Sequence, residues 1–243
     1  MKNNTWKLAA AVGAAALIIA LVAAAIIALH KPASYSELPE PDAPDVAAPV
    51  ATPAPTPEVT PVPTAKPAPE LVTFIGDSIM VAAEPELTKL LPECVVDAKV
   101  GRQLVEAPDI IRRLKNEGKL YDTVVIGLGS NLPFTVEEGS EVLDMLGDDR
   151  TIYWVTCYGR YLDWQDDVNE TIAELDEMYD NLTVIDWSAV APEQPGWIRS
   201  DDGIHLTADG MVGYAEFVAA AIGVDVAAVR AEEAEAAEEE ATA

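Results

Sequence analysis

Residues 71–78 read LVTFIGDS, an apolar run that changes to polar residues at its end. Four more short apolar runs follow, and segments with helical periodicity separate most of them. Apolar strands that alternate with helices are typical of a parallel sheet covered on both faces. We therefore predict an α/β fold, a three-layer α/β/α sandwich around a central five-stranded parallel sheet.

The alternation fills residues 71–222, which we assign to one globular domain. The predicted strands are residues 71–75, 94–100, 123–128, 151–156 and 183–187. The predicted helices are residues 107–117, 136–146, 166–178 and 208–221. Open parallel sheets bind ligands at the carboxyl ends of their strands, so functional residues are sought in the loops that follow the strands.

The N-terminal part of the sequence predicts a membrane anchor. Residues 8–29 contain only Ala, Val, Gly, Leu and Ile, enough to cross a hydrocarbon core about 30 Å thick as one transmembrane helix. A cleaved signal peptide is the alternative, although its apolar region is usually only about 7 to 15 residues long. Lys2 and Lys7 favour a cytoplasmic N-terminus. Residues 1–30 are expected to anchor a single-pass protein of the cell membrane whose globular domain is extracellular.

Two segments of biased composition flank the globular domain. Residues 31–70 are rich in Pro, Ala and Thr and hold 12 of the 18 prolines, which predicts an extended linker up to ~120 Å long. Such a length suits a domain that works in a cell wall above its membrane, and a generic stalk is the alternative. Residues 223–243 are acidic and rich in Ala and Glu, and we expect them to be disordered or a frayed helix.

The charge of the chain argues against nucleic acid as a partner. The formal net charge is −27, and residues 71–222 alone hold 29 acidic and 10 basic side chains. Binding to nucleic acid requires clustered Lys and Arg that neutralise phosphates. A neutral or weakly charged substrate fits this surface better.

The end of the first strand supplies a candidate nucleophile, Ser78. A serine hydroxyl needs a base, and the only histidine besides His30, at the end of the predicted membrane helix, is His205. Asp202 lies three positions before His205, where a turn would bring its carboxylate to the imidazole. A helix-capping serine and an ordinary loop histidine are the structural alternatives. Together the three residues predict a Ser-His-Asp catalytic triad.

Two further strand ends supply candidate donors for an oxyanion hole. Gly101 follows the second strand, where its N–H can approach a substrate closely, and Asn131 follows the third with a side-chain amide. With the N–H of Ser78 they would bind the oxyanion of a tetrahedral intermediate. A turn glycine and a helix-capping asparagine are the alternatives for Gly101 and Asn131.

These segments resemble the four sequence blocks of the SGNH hydrolase superfamily, also called GDSL esterases. Residues 76–78 (GDS) are similar to the first block, Gly101 to the second, residues 129–131 (GSN) to the third and residues 202–205 (DGIH) to the last. The resemblance covers most of residues 71–222. It implies a flavodoxin-like sheet with strand order 2-1-3-4-5.

A narrower resemblance is to the extracellular domain of peptidoglycan O-acetyltransferases of the OatA type. It rests on residues 96–103 (VDAKVGRQ) and residues 202–206 (DGIHL). The third block departs slightly from that family, which commonly has Gly-Thr-Asn. In the family an integral-membrane acyltransferase domain usually precedes the SGNH domain, whereas here a single predicted helix does. The acyl donor, and the choice between transfer and hydrolysis, are therefore left open.

The resemblance implies a serine esterase or O-acyltransferase that acts on O-acyl, chiefly O-acetyl, groups of a cell-wall glycan through an acyl-enzyme. Its partners would be acylated glycan or peptidoglycan as substrate, and the membrane through the N-terminal helix. A separate membrane acyltransferase is left open as the source of acyl groups. The alternative hypothesis is a non-catalytic wall-binding or scaffold protein that keeps the SGNH fold.

Two residues are expected to contact the substrate: Trp197, just before the Asp202 loop, and Arg102, in the second block. Tryptophans can stack on a sugar ring. Trp154 and Trp187 fall inside predicted strands and are expected in the core instead.

No cofactor or metal is expected, because the two histidines are remote from each other and no Cys-x-x-Cys or glycine-rich phosphate loop is present. The implied strand order places Cys94 and Cys157 at opposite edges of the sheet, three strand spacings of about 4.8 Å apart. A disulfide tolerates a Cα separation of roughly 6 Å. We therefore expect two free thiols.

Overall fold

The computed structural model describes residue 69 and residues 71–242. The predicted anchor at residues 8–29 and nearly all of the predicted linker lie outside the described residues. Within the described part, no helix is both long enough and apolar enough to cross a membrane.

The centre of the domain is a five-stranded parallel sheet with the order β2-β1-β3-β4-β5, as expected. Its strands are β1 (Val72–Gly76), β2 (Val95–Ala98), β3 (Thr123–Gly127), β4 (Thr151–Val155) and β5 (Leu182–Ile185). In β1, Phe74 pairs with Val96 on one side and Val125 on the other. Because the strands are parallel, all of their carboxyl ends meet at one edge of the sheet. We call this the catalytic edge, because the sequence predicts the candidate nucleophile Ser78 there.

Helices cover both faces of the sheet, so the predicted three-layer arrangement is confirmed. The helices are α1 (Ser78–Leu90), α2 (Ala107–Glu117), α3 (Val136–Leu146), α4 (Gln165–Met178), α5 (Trp187–Val190), α6 (Ala208–Ala221) and α7 (Val226–Thr242). Apolar residues of α1 and α6 pack with Phe74 and Val125 in one core, while those of α2, α3 and α4 pack with Ile75 and Ile126 in the other. Successive strand residues face opposite cores, which explains why both faces read as apolar.

Helix α1 was not predicted from the sequence. Pro85 lies inside it, and proline removes a backbone donor from a helix. However, Ile79, Met80, Ala83 and Leu87 recur at helical spacing and are all buried against the sheet. This tertiary burial outweighs the local cost of the proline.

One sequence-based assignment needs correction. Strand β5 ends at Ile185, so Trp187 is not in a strand but begins the short helix α5; it is nevertheless buried, as expected. The tail, expected to be disordered or a frayed helix, is helical over Val226–Thr242. Ala and Glu are strong helix formers, and Arg230 pairs with Glu86 of α1 and Glu216 of α6.

Both cysteines are free thiols. Cys94 directly precedes β2 and is half-buried, while Cys157 follows β4 and is buried. Burial raises the pKa of both thiols, that of Cys157 to about 12. The thiolate is the form that reacts with alkylating reagents. Cys157 is therefore unreactive for two reasons: it is buried, and its thiol stays protonated at neutral pH.

We therefore expect alkylation of the folded protein at neutral pH, without reductant, to modify Cys94 slowly and Cys157 scarcely at all. Alkylation in denaturant should modify both thiols without prior reduction. Mass spectrometry of the two preparations measures this. A mass gain in denaturant that appears only after reduction would reveal a disulfide and contradict the expectation.

Candidate active site

The candidate nucleophile lies where β1 passes directly into α1. Asp77 caps the helix, because its Oδ1 accepts a hydrogen bond from the N–H of Ile79 at 3.0 Å. Ser78 is the first residue of the helix and is half-buried at the catalytic edge. Helix N-termini leave N–H groups without intrahelical partners and carry a partial positive charge. This position suits a serine that develops negative charge during a reaction.

The structure brings Ser78, His205 and Asp202 together, although 127 positions separate Ser78 and His205. The distance from Ser78 Oγ to His205 Nε2 is 3.1 Å, and His205 Nδ1 lies 3.1 Å from Asp202 Oδ2. With the proton on Nδ1 donated to Asp202, Nε2 is free to accept the proton of Ser78. These distances and the order of the three groups match the geometry that a Ser-His-Asp triad requires.

A tight loop fixes Asp202 and His205 relative to each other. An antiparallel bridge between Ile198 and Leu206 closes the loop, and the N–H of Arg199 donates to the carbonyl of His205 at 2.8 Å. Asp202 Oδ1 accepts from the N–H groups of Ile204 at 3.0 Å and His205 at 2.9 Å. One carboxylate oxygen therefore shapes the loop, and the other faces the imidazole.

The same contacts keep Asp202 ionised. Partial burial of the carboxyl opposes ionisation, but the hydrogen bonds from the N–H groups of Ile204 and His205, and the imidazole itself, outweigh it and lower the pKa of Asp202 to about 2. A depressed pKa in the folded state means that this carboxylate contributes stability at neutral pH, which is lost as the pH falls towards 2. Across the neutral range Asp202 remains a hydrogen-bond acceptor for His205.

Asn131 lies in the loop after β3 and contacts Asp77, the residue before Ser78. Its Nδ2 donates to Asp77 Oδ2 at 3.3 Å and to the carbonyl of Arg102 at 3.1 Å. Asn131 does not cap the following helix, because Thr135 is the N-cap of α3. The amide thus links the loops that follow β1, β2 and β3 at the catalytic edge.

Gly101 lies in the turn that follows β2, and its φ of 76° is in the left-handed region that favours glycine. The N–H of Arg102 closes this turn on the carbonyl of Lys99 at 3.2 Å. The N–H groups of Gly101 and Ser78 have no backbone acceptor among the described residues. Both donors are thus available to a ligand.

Asp77 is a candidate site residue to which the sequence reasoning gave no role of its own. Its side chain is 1% exposed, and burial raises the pKa of its carboxyl, although hydrogen bonds from Ile79 and Ser130 oppose that rise. It joins the cap of α1 to the amide of Asn131. The signal that could have revealed it is a short carboxylate placed between a strand end and a helix start, where it can cap the helix.

The structure does not support Arg102 as a residue that contacts substrate. Its side chain is 7% exposed and forms an ion pair with Asp97 at 2.8 Å. Its Nη1 donates to the carbonyl of Gly76 at 3.2 Å and to the carbonyl of Asp97. The buried Arg102 side chain therefore links the turn at Gly101 to the carboxyl ends of β1 and β2 through these contacts. The sequence could not reveal that the guanidinium points inwards.

Trp197 is likewise occupied by packing. Its ring stacks on Trp187 with the centroids 6.0 Å apart, and it covers Gly213 of α6 so closely that a Cβ there would clash. Trp187 in turn contacts the ring of Tyr214 edge-on. Trp197 is half-buried in this aromatic cluster, so little of its ring is available to stack on a substrate. Trp154 lies in the core, as expected.

Within the part of the chain that the structure describes, no group of three or more His, Cys, Asp or Glu side chains is arranged to hold a metal ion.

Comparison with known proteins finds similarity to the OatA-type peptidoglycan O-acetyltransferases, which supports the narrower of the two resemblances. No family model matches the chain. The peptidoglycan O-acetyltransferase OatA of Listeria monocytogenes is 38% identical over 141 residues, which cover 58% of this chain and 22% of the relative. The O-acetyltransferase OatA of Staphylococcus aureus is 37% identical over 133 residues, which cover 54% of this chain and 22% of the relative. The chain thus spans about a fifth of the length of these curated relatives.

Solved structures show the same fold. The C-terminal catalytic domain of the peptidoglycan O-acetyltransferase OatA of Streptococcus pneumoniae aligns with a TM-score of 0.57 and 26% identity, over 64% of this chain and 93% of that domain. A protein of Slackia heliotrinireducens assigned to the SGNH hydrolases aligns with a TM-score of 0.53 and 16% identity, over 63% of this chain and 98% of that one. The second similarity concerns the fold alone.

Proposed function

Given that its relatives are peptidoglycan O-acetyltransferases and its fold is that of the SGNH hydrolases, we propose that this protein is a serine O-acetyltransferase or esterase of cell-wall glycan. The observation that carries the proposal is the line of contacts from Ser78 through His205 to Asp202, with both distances at 3.1 Å. A scaffold protein has no need of this alignment at the catalytic edge.

The reaction would begin at Ser78. Its Oγ attacks the carbonyl carbon of an acetyl ester while His205 Nε2 takes the hydroxyl proton, and the carbonyl oxygen becomes an oxyanion. The N–H groups of Ser78 and Gly101 and the amide of Asn131 would donate to that oxyanion. When the tetrahedral intermediate collapses, His205 returns the proton to the leaving alcohol, and the acetyl group stays on Ser78 as an acyl-enzyme.

The second half of the reaction regenerates Ser78. A sugar hydroxyl or a water molecule attacks the acyl-enzyme, His205 takes its proton, and the proton passes to Ser78 Oγ as the ester bond breaks. A sugar hydroxyl yields an O-acetylated glycan, and water yields acetate. The names of the relatives support transfer to a glycan, and esterase activity is the second candidate because the same residues serve both outcomes.

We also propose that residues 8–29 hold the protein in the cell membrane and that the linker at residues 31–70 carries the catalytic domain outside the cell. The support is the uncharged apolar run and the proline-rich composition. A separate membrane acyltransferase would then supply acyl groups from inside the cell.

Covalent labelling tests the nucleophile. We expect a fluorophosphonate to label the full chain at Ser78, because only a serine activated by a base reacts at a useful rate. Peptide mass spectrometry locates the adduct. Ser78→Ala is the negative control, and Ser188→Ala, which removes the hydroxyl beside Asp186, is the matched control that should label normally. Equal labelling of the wild type and Ser78→Ala would favour the scaffold hypothesis.

Product analysis separates transfer from hydrolysis. The full chain is incubated with an activated acetyl ester, with and without a chitooligosaccharide acceptor, and the products are identified by mass spectrometry. We expect acetylated sugar that is absent with Ser78→Ala. Free acetate with no acetylated sugar would assign the protein as an esterase.

A further inference from the structure

Exposed apolar side chains surround the catalytic edge. The exposed large apolar residues in the described part of the chain include Val100, Leu132 and Tyr161, which follow β2, β3 and β4. Val100 is adjacent to Gly101 in sequence, and Leu132 is adjacent to Asn131. The strands involved span three spacings, a width of about 14 Å across the edge. Tyr161 is the exposed aromatic ring in this group.

Tyr161 lies against the loop that carries the base. The N–H of Arg160 donates to the carbonyl of Gly203 at 2.8 Å, and a Cβ on Gly203 would lie 3.1 Å from the Tyr161 ring and 2.9 Å from Cβ of Arg160. Gly203 stands between Asp202 and His205. The Tyr161 side chain is nevertheless 68% exposed, so much of its ring is open to a ligand beside the candidate triad.

Arg160 is unusual among the cations of this acidic domain. Of the 10 Lys and Arg side chains in residues 71–222, eight form ion pairs. The two without an ion pair in the described part of the chain are Arg160 and Lys115. Lys115 lies in the last turn of α2, whereas Arg160 follows β4 at the catalytic edge.

An unpaired guanidinium can attract an acidic ligand to this otherwise acidic surface. The domain carries 29 acidic side chains against 10 basic ones, so its field repels an anionic polymer as a whole. An acidic ligand can approach the nucleophile only where a local cation offsets that repulsion. The guanidinium of Arg160 provides such a cation, and its planar fork suits a carboxylate.

We propose that Arg160 and Tyr161 form the subsite that binds the acceptor glycan, with the Tyr161 ring against the apolar face of a sugar and the Arg160 guanidinium on a carboxylate carried by the strand. This inference rests on the proposed function and narrows its substrate class to a glycan with carboxylate substituents. Trp197 is packed against Trp187, whereas Tyr161 is mostly exposed and can meet a sugar.

The test measures binding separately from chemistry. The probes are soluble uncross-linked peptidoglycan strands, which carry carboxylates, and chitooligosaccharides, which do not. For Arg160→Glu in the full chain we expect Kd for the peptidoglycan strands to rise by roughly 5-fold or more, since an attraction becomes a repulsion, with Kd for chitooligosaccharides unchanged. Tyr161→Ala should raise Kd for both glycans, and Tyr161→Phe for neither.

Lys115→Glu is the matched control, because it makes the same charge change on the last turn of α2 and should leave Kd unaltered. Equal effects of Arg160→Glu and Lys115→Glu would show that only net charge matters and would overturn the proposal. So would an equal effect of Arg160→Glu on both glycans, or wild-type Kd values in Arg160→Glu and Tyr161→Ala.

A second readout distinguishes failure of this subsite from failure of the proposed function. The wild-type protein and Lys115→Glu should hydrolyse a small activated acetyl ester at the same rate, because this substrate reports on the candidate triad without requiring a bound glycan. If the wild-type protein neither hydrolyses this ester nor reacts at Ser78, the proposed function fails whatever the Kd values are. If it does both, and the Kd values do not change, the subsite alone is refuted. A selective loss of activity on longer acyl esters in Tyr161→Ala would instead assign the ring to the acyl donor and refute its role with the glycan.

Discussion

Asp202→Asn is expected to lower kcat for acetyl-ester turnover by about 10⁴-fold, the loss known for the same change in a serine protease triad. The asparagine oxygen can still accept from the N–H groups of Ile204 and His205, so the loop should keep its shape. The amide nitrogen would then face His205 Nδ1 and favour the tautomer with the proton on Nε2. That tautomer cannot accept the proton of Ser78.

The measurement is kcat alongside the melting temperature of the same preparation. Asp186→Asn is the matched control, because Asp186 also follows a strand and accepts from a backbone N–H, that of Ala189 at 3.1 Å, yet has no contact with His205. We expect Asp186→Asn to keep the wild-type kcat. If Asp202→Asn turned over at the wild-type rate, Asp202 would be only a loop-shaping residue.

Asn131→Ala is expected to lower kcat by roughly 10²- to 10³-fold with little change in KM, which is the typical cost of removing one oxyanion donor. The oxyanion exists only in the transition state, so loss of its donor spares substrate binding. In the structure the Asn131 amide donates to Asp77, the residue before Ser78, and to the carbonyl of Arg102. We expect the forming oxyanion to compete for one of these two N–H groups.

The competing explanation for Asn131 is structural, because the substitution also removes two hydrogen bonds between loops. Asn181→Ala is the matched control: its amide donates to the carbonyls of Gly147 at 3.0 Å and Arg150 at 2.9 Å, before β4 and β5 and away from the catalytic edge. Both variants should lose some thermal stability, and only Asn131→Ala should lose kcat. A lowered melting temperature with an unchanged kcat in Asn131→Ala would remove that residue from the reaction.

The sequence alone determined the architecture of the domain and the identity of its candidate triad. Apolar runs of strand length, such as the one at residues 123–128, need burial on both faces, and only a parallel sheet covered by helices provides it. His205 could be selected because the sequence offers a single base outside the predicted membrane segment. The predicted bounds of α2, α3 and α6 agree with the structure, since their apolar periodicity is also the pattern of their burial.

The tertiary structure alone decided where long side chains point and what they contact. Arg102 and Trp197 looked like substrate residues because of their neighbours in sequence, yet Arg102 binds Asp97 inside the domain and Trp197 stacks on Trp187. Tyr161, which belongs to no sequence motif, became a candidate for glycan binding because the loop after β4 packs its ring against Gly203, in the loop of His205. Strand and helix patterns depend on local periodicity, whereas the partner of a flexible side chain depends on residues that are distant in sequence and meet only when the chain folds.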